Sequence, residues 1–472
     1  MIISRYTTEL EQFRQTLYQN FNNRADTMME VIDALCSGVS AKSPVELTLT
    51  ACFRRSYSML YKAIEGFAWE PLALAGLLAP YLPRPKMRSF WLLGVDVTPQ
   101  PGNPLGAYAR TLTDRGMVYQ PNLVKGNKPI TVGHQYSTVA LLPEAEAGLT
   151  SSWLIPLLVR RIGTEEDKEL VGAAQIDALL SQQELPFRHR LCVEVGDTSY
   201  SKPAYLCANR KHGNLVTIAR ARSNRIFYRQ FVADERVKEL GHPTWYGRAF
   251  PLRNPDDWPS PDEQHAVVKI SQLGKRYTIQ IQLWHNMLMP GKRKPASLPM
   301  HKFPFTLVHI VHYDDAGTPM HIRPLWLIVV GPRRDELNPT AIYHAYAQRY
   351  DLEHSGAPWA RFGKQKLLLA DFQTPETTRE EAWWQLGHMA YAQLWMARQV
   401  ANSLPRPWER NLPLMKARRI SPTLVQRDFA RIIQQLGTPA KPPKVRNKSP
   451  GRRQGTKLPP RQRHKVVVKG LL

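Results

Sequence analysis

The sequence predicts a mixed α/β protein with helical regions at both ends and a β-rich segment inserted in its middle. Three observations carry this. Short continuous apolar runs, Phe90-Trp91-Leu92-Leu93-Gly94-Val95 and Leu191 to Val195, have the texture of strands buried on both faces. A helical pattern from Glu165 to Leu180 separates them. From Arg222 to about Pro324, helical periodicity gives way to alternation and turn chemistry.

Residues 1–85 read as a helical region, with Leu10, Phe13 and Leu17 at helical spacing. Val45 to Gly66 predicts two short helices around Arg55-Ser56-Tyr57-Ser58. They form either a helix-turn-helix with basic residues exposed toward DNA or a plain helical hairpin. Pro83-Arg84-Pro85 reads as a linker. Residues 86–221 hold the first part of the α/β domain, with further strands at His134 to Leu142, Trp153 to Arg161 and Leu215 to Ala219. Residues 222–324 are the β-rich insertion. Tyr277 to Leu283 and Thr306 to Tyr313 alternate, and Asp314-Asp315-Ala316-Gly317 turns the chain toward Ile322 to Val330. Residues 325–435 complete the domain. Asn338 caps a helix with Pro339 in its first turn, continuing through Tyr350. A longer helix follows a Thr378-x-x-Glu381 capping box, its stripe of Trp383, Leu386, Met389, Leu394 and Met396 predicting core.

Charge points to the partner. Lys and Arg total 64 against 39 acids, a net charge of +25. Such an excess favours a polyphosphate, because neutralising phosphates releases counterions. Eleven of the basic residues lie between Lys441 and Leu472 without an acid, leaving +14 over the first 440 residues. Residues 436–472 therefore read as a basic, disordered tail. No apolar run approaches the ~18 residues of a membrane span. Met1 to Leu10 lacks a signal-peptide core, and Cys36, Cys52, Cys192 and Cys207 form no CxxC. A reducing cytoplasm, in association with the nucleoid, is the expected location.

Two acids stand in matching contexts, Gly94-Val95-Asp96-Val97-Thr98 and Val195-Gly196-Asp197-Thr198-Ser199. If the strands are neighbours, both carboxylates reach one crevice at the sheet edge, where open sheets bind ligands. Paired hard oxygen donors suit Mg²⁺, and a third acid would complete a two-ion site for phosphodiester chemistry. Alone, each Asp is more often a cap or turn residue. The third acid is Glu353: Tyr346, Arg349 and Glu353 fall at i, i+3 and i+7, one face of a helix. The bland alternative is a structural Arg–Glu pair.

The set Asp96, Asp197 and Tyr346-x2-Arg349-x3-Glu353 resembles the DDE transposases of bacterial insertion sequences. It is most similar to the branch with a Tyr-x2-Arg-x3-Glu-x6-Lys signature. That resemblance implies a ribonuclease-H-like catalytic domain with a β-rich insertion between the second Asp and the Glu. The 156-residue gap from Asp197 to Glu353 agrees with such an insertion. It implies catalytic and metal-holding roles for Asp96, Asp197 and Glu353, with two Mg²⁺ ions and Mn²⁺ as a substitute. It implies DNA contacts from Tyr346, Arg349 and a lysine. It also implies cleavage and strand transfer on double-stranded DNA, transposon ends and target, by a homodimer. The signature lysine is displaced: Ala360 stands seven residues after Glu353, and Lys364 stands eleven after it. Lys364 takes the assignment if the extra residues bulge near Ser355 to Trp359. The alternatives are a ribonuclease-H-like nuclease that does not join strands, and a decayed transposase that only binds DNA.

Other motifs are weaker. Gly356-x6-Gly363-Lys364 has the wrong spacing for a phosphate loop, and no G-x-S-x-G elbow exists. His309 and His312 fall on opposite faces of a strand, poor geometry for one metal. Trp245, Tyr246, Trp284 and Trp326 lie in the insertion, where the resembled family stacks an aromatic on a flipped base. Core packing is their simpler role.

Overall fold

In the computed structural model the described residues are 3–101, 114–119, 130–144, 153–231, 245–271, 273–290, 300–353, 359–372, 374, 376–403, 420–444, 451–457 and 460. Helices α1 (Ile3–Gln19), α2 (Ala25–Ser37), α3 (Tyr57–Glu65) and α4 (Ala73–Leu78) lead the chain. Leu10, Phe13 and Leu17 are fully buried, as their spacing predicts. Arg54 is exposed, as expected of a basic residue here, whereas Arg55 is half-buried. Arg54 and Arg55 both turn onto the buried carboxylate of Glu30 in α2, and Arg55 also meets Asp26. A carboxylate withdrawn from water needs a cation far more than the surface does.

The central unit follows. It comprises β1 (Trp91–Pro101), β2 (Gly116–Tyr119), β3 (Ile130–Leu141), β4 (Ile155–Ile162), α5 (Lys168–Ser181), β5 (Cys192–Gly196), α6 (Pro203–Asn209) and β6 (Leu215–Arg220). β1 pairs antiparallel with β3 and parallel with β5, and β5 pairs parallel with β6. β4 adds antiparallel to the far edge of β3, giving the order β4-β3-β1-β5-β6. Every residue of β5 is buried, as expected of a parallel strand covered on both faces. Asp167 caps α5 by accepting from the N–H groups of Glu169 and Leu170.

One boundary differs from the expectation. The apolar run stops at Val95, yet β1 continues to Pro101, so Asp96 lies within the strand rather than beyond it. β3 keeps pairing with β1 from Asp96↔Thr138 to Pro101↔Gly133, whereas pairing with β5 ends at Gly94↔Val195. Continuous apolar character marks only the half of β1 that is flanked on both sides.

Strands β7 (Ile226–Gln230), β8 (Tyr246–Pro251), β9 (Glu263–Ile270), β10 (Arg276–Leu288), β11 (Phe305–Tyr313) and β12 (Leu325–Val330) extend this sheet. β12 pairs antiparallel with β6, which makes one twelve-stranded sheet of the described strands. Trp284 and Trp326 are buried and pack with Phe250 and Trp258, whereas Trp245 is half-exposed. His309 bonds Gln282 and His312 meets Tyr343, ordinary roles for both.

The chain ends in α7 (Pro339–Gln348), α8 (Tyr350–Glu353), α9 (Trp359–Lys366), α10 (Thr377–Ser403) and α11 (Pro422–Leu436). Asn338 caps α7, its side-chain oxygen accepting from the Ala341 N–H at 2.7 Å. α10 already begins at Thr377, so Thr378 lies inside the helix and is not its cap. Glu381 instead pairs with Arg161 of β4 at 2.5 Å. Glu380 accepts from the Tyr136 hydroxyl at 2.8 Å and meets His134 Nδ1 at 2.9 Å. These contacts fasten α10 across β3 and β4. On its other side the buried Arg14 of α1 binds both oxygens of Asp33 and reaches Gln393 of α10 at 3.0 Å. Residues 437–444 are pinned rather than loose. The Lys441 N–H donates to Asp26 at 2.8 Å, and Arg55 donates to the Lys441 carbonyl at 2.7 Å. Most of the rest of the basic tail lies outside the described residues.

Candidate active site

Strand register makes neighbours of the two aspartates. Gly94 and Val195 are the last pair of the β1–β5 ladder, and Asp96 and Asp197 each follow that pair by two residues, at the same end of the two strands. Gly196 pairs with Ala219, which sets Arg220 beside Asp197 in turn. β5 stops at Gly196 while β1 runs on, and the row Asp96, Asp197, Arg220 lies along the step between them. Both acids are half-buried and Arg220 is exposed.

Asp197 does serve as a cap. Its Oδ1 accepts from the Ser199 N–H at 2.7 Å, and Oδ2 makes a longer 3.4 Å contact with the Ser199 hydroxyl. Ser199 thus meets both carboxylate oxygens, the short bond to Oδ1 fixing the direction of the group.

Tyr346 and Arg349 arrive on the helix packed over this edge, with one correction. α7 ends at Gln348, Arg349 is a one-residue joint, and α8 follows. The joint tightens to i→i+3 bonds, Arg349 N–H to Tyr346 O at 3.0 Å and Leu352 N–H to Arg349 O at 2.9 Å. The Arg349 guanidinium lies 5.3 Å over the Tyr346 ring. Burial raises the pKa of the Tyr346 phenol, Arg349 and Arg220 oppose this, and Asp197 adds to it. Tyr346 therefore stands among Arg220, Arg349 and Asp197.

Glu353 is the last residue of α8. Its side chain lies outside the described residues, but its neighbour fixes the backbone. Leu352 packs so closely on β1 that a Cβ at Gly94 would stand 2.6 Å from Leu352 Cδ1. Gly94 precedes Asp96 by two residues, so α8 ends over the stretch of β1 that carries Asp96.

Lys364 reaches the same strand from α9. Its Nζ donates to Thr98 Oγ1 at 2.9 Å and to the Pro99 carbonyl, just past Asp96. Burial pushes its pKa down to about 8, and the Asp96 carboxylate opposes that fall. The expected bulge near Ser355 to Trp359 falls mostly on residues 354–358, outside the described residues.

Arg220 and Thr98 escaped the sequence reading. Arg220 had a signal, since it closes the run Leu215 to Ala219 much as Asp197 closes Leu191 to Gly196. Two carboxylates in register fit a hard divalent cation. Among the described residues no group of three His, Cys, Asp or Glu is placed to hold a metal ion, and the Glu353 carboxylate is not among them. Also among the described residues, no helix is long and apolar enough to cross a membrane.

A family model described as DDE superfamily endonuclease matches residues 16–291. That span contains Asp96 and Asp197 and stops before Tyr346, Arg349, Glu353 and Lys364. No curated protein matches the chain.

Proposed function

Since the chain belongs to the DDE superfamily endonucleases, we propose that it is a DNA transposase of the insertion-sequence branch with the Tyr-x2-Arg-x3-Glu-x6-Lys signature. The family carries a ribonuclease-H-like fold and acts on DNA phosphodiesters with divalent metals. The order β4-β3-β1-β5-β6, antiparallel over its first three strands and parallel thereafter, supports that fold.

The observation that carries the proposal is the parallel register of β1 and β5, whose last pair, Gly94 and Val195, stands two residues before Asp96 and Asp197. Asp96, Asp197 and Glu353 would hold two Mg²⁺ ions, which polarise the scissile phosphate and activate the attacking oxygen. Water cuts one strand at the element's end, and the freed 3′-hydroxyl then displaces the 3′ oxygen of a target phosphodiester. The chain's own part is to position and to neutralise charge. Arg349 and Arg220, whose charges both act on Tyr346, would take phosphate oxygens. Lys364, fixed by Thr98 and Pro99, adds a cation beside Asp96 despite its late position in the sequence. The excess of basic residues attracts the duplex, and a homodimer would pair two ends.

The test uses a labelled DNA fragment carrying the sequence that flanks the coding region. Mg²⁺-dependent nicking is expected from the wild type, and its loss from Asp197→Asn with DNA retardation in gels unchanged. A pre-cut end with a free 3′-hydroxyl should be joined to target DNA. Nicking without joining would leave a nuclease, and nicking by Asp197→Asn would remove the site.

A further inference from the structure

Two basic segments meet at the end of the sheet opposite the aspartates. β1 and β5 begin at Trp91 and Cys192, which pair with each other. The residues leading into them carry Arg84, Lys86, Arg88, Arg188 and Arg190 against one acid, Glu184. Arg84, Lys86, Arg188 and Arg190 are exposed, and among the described residues none of the four is paired with an acid. Each segment is fixed by one polar side chain from another element. Glu144, just past β3, accepts from three successive N–H groups, Lys86 at 2.8 Å, Met87 at 3.0 Å and Arg88 at 2.7 Å. The one cation it pairs with among the described residues is Arg88, at 3.9 Å. Asn214, just before β6, brings its Nδ2 to the carbonyls of Phe187 at 2.8 Å, Arg188 at 3.2 Å and Arg190 at 2.8 Å. Arg88 is itself seated, donating to Gln348 Oε1 at 3.0 Å and to the Leu142 carbonyl. Between the segments opens a cleft of about 420 Å³, lined by Arg84, Arg88, His189 and Arg190 over Trp91 and Leu185, and no acid lines it among the described residues. Solubility asks only for scattered charge. Two fixed loops that gather unpaired cations around one acid-free cleft suit a row of phosphates.

We propose that this end of the sheet is a separate DNA contact, which grips backbone phosphates of a stretch other than the one being cut. This rests on the proposed reading that DNA is the substrate and that Asp96 and Asp197 mark the cut. β5 alone puts five residues, about 16 Å, between the basic segments and Asp197. At about 3.4 Å per base pair, the phosphates held there lie about five base pairs or more from the nick. Such contacts carry no sequence preference; they fix the orientation of the duplex on the protein.

The test replaces Arg84, Arg188 and Arg190 together, by alanine in one variant and by lysine in another. All three side chains are exposed, so the fold tolerates the change. Binding of the full-length protein to a labelled duplex carrying the sequence that flanks the coding region is measured from about 50 to about 200 mM KCl. The logarithm of affinity falls linearly with the logarithm of salt, by about 0.9 for each phosphate neutralised. The alanine variant should lose about 2–3 from that slope, and the lysine variant, which keeps the charges, should keep the slope. Ethylation of single phosphates then locates the contact: those needed by the wild type and no longer by the alanine variant should lie about five base pairs or more from the nick. An unchanged slope in the alanine variant would overturn the contact, and an equal loss in the lysine variant would overturn its electrostatic basis. Lost phosphates flanking the nick would put these residues in the cleavage site and overturn the separate contact. Nicking by Asp197→Asn beside a reduced slope in the alanine variant would remove the aspartate site and leave the DNA contact standing.

Discussion

Glu194→Gln should make the protein less sensitive to alkali. Glu194 lies on β5 with no exposed surface, and its only described partners are neutral: the Tyr205 hydroxyl, Asn209 Nδ2 at 3.0 Å and Thr217 Oγ1 at 3.2 Å. Burial without a cation pushes its carboxyl up to about 7, although the hydrogen bonds from Tyr205 and Thr217 oppose this. The folded protein therefore keeps a proton that the unfolded chain has released above its ordinary pKa of about 4.5. Stability is greatest below that value, falls as the pH rises toward 7, and levels off once both states are ionised. Integrated between pH 5 and 8.5, the loss is about 2.5 kcal/mol. A glutamine cannot ionise, and it can donate to Asn209 Oδ1, which has no partner in the structure. Urea unfolding of wild type and variant at pH 5 and pH 8.5 isolates this one group as the difference between their pH dependences. The variant should gain about 2–3 kcal/mol relative to the wild type across that interval. Parallel stability curves would refute the reasoning. Because Glu194 does not touch the aspartates, nicking should persist in the variant.

Two further outcomes follow from close packing and from buried charge. Gly94→Val drives methyl groups into the space of Leu352, where even a Cβ would stand 2.6 Å away, so α8 must shift outward. A displacement of about 1 Å at the end of α8 should slow nicking by about 10²-fold with far-ultraviolet circular dichroism unchanged, and a normal rate would show that α8 does not need its seat on β1. Arg14→Met strands the Asp33 carboxylate between α1, α2 and α10, and urea unfolding should show a loss of about 3–5 kcal/mol; a loss under about 1 kcal/mol would mean that Asp33 finds another cation.

The parts of this fold legible in the sequence are those where one physical cause dominates. β5 and the first half of β1 are flanked by strands and covered on both faces, which writes an apolar run at every position. The second half of β1 pairs with β3 alone and is half-buried and polar, so the sequence hides it. Arg55 reads as a surface cation because nothing local reveals that Glu30, more than twenty residues away, is buried and needs it. The displaced lysine shows the same limit. Lys364 is carried by α9, whose buried Trp359 packs against His388 and Tyr391 of α10, a contact that no spacing rule states. The seating of Trp359, rather than the count of residues, aims Lys364 at Thr98. Asp96 and Asp197 were recognisable as a pair because both follow apolar strands, whereas their alignment with Arg220 depends on pairing register, which no local pattern states.

The convergence of Asp96, Asp197 and Glu353 is tested most directly by putting Fe²⁺ in place of Mg²⁺ on the DNA-free protein, adding ascorbate and peroxide, and mapping the backbone cuts by mass spectrometry. Hydroxyl radicals cut within a few ångströms of the iron. The account predicts cuts clustered beside all three acids, suppressed by excess Mg²⁺ and lost in Asp197→Asn. Cuts near Asp96 and Asp197 with none near Glu353, or a pattern indifferent to Asp197→Asn, would contradict it.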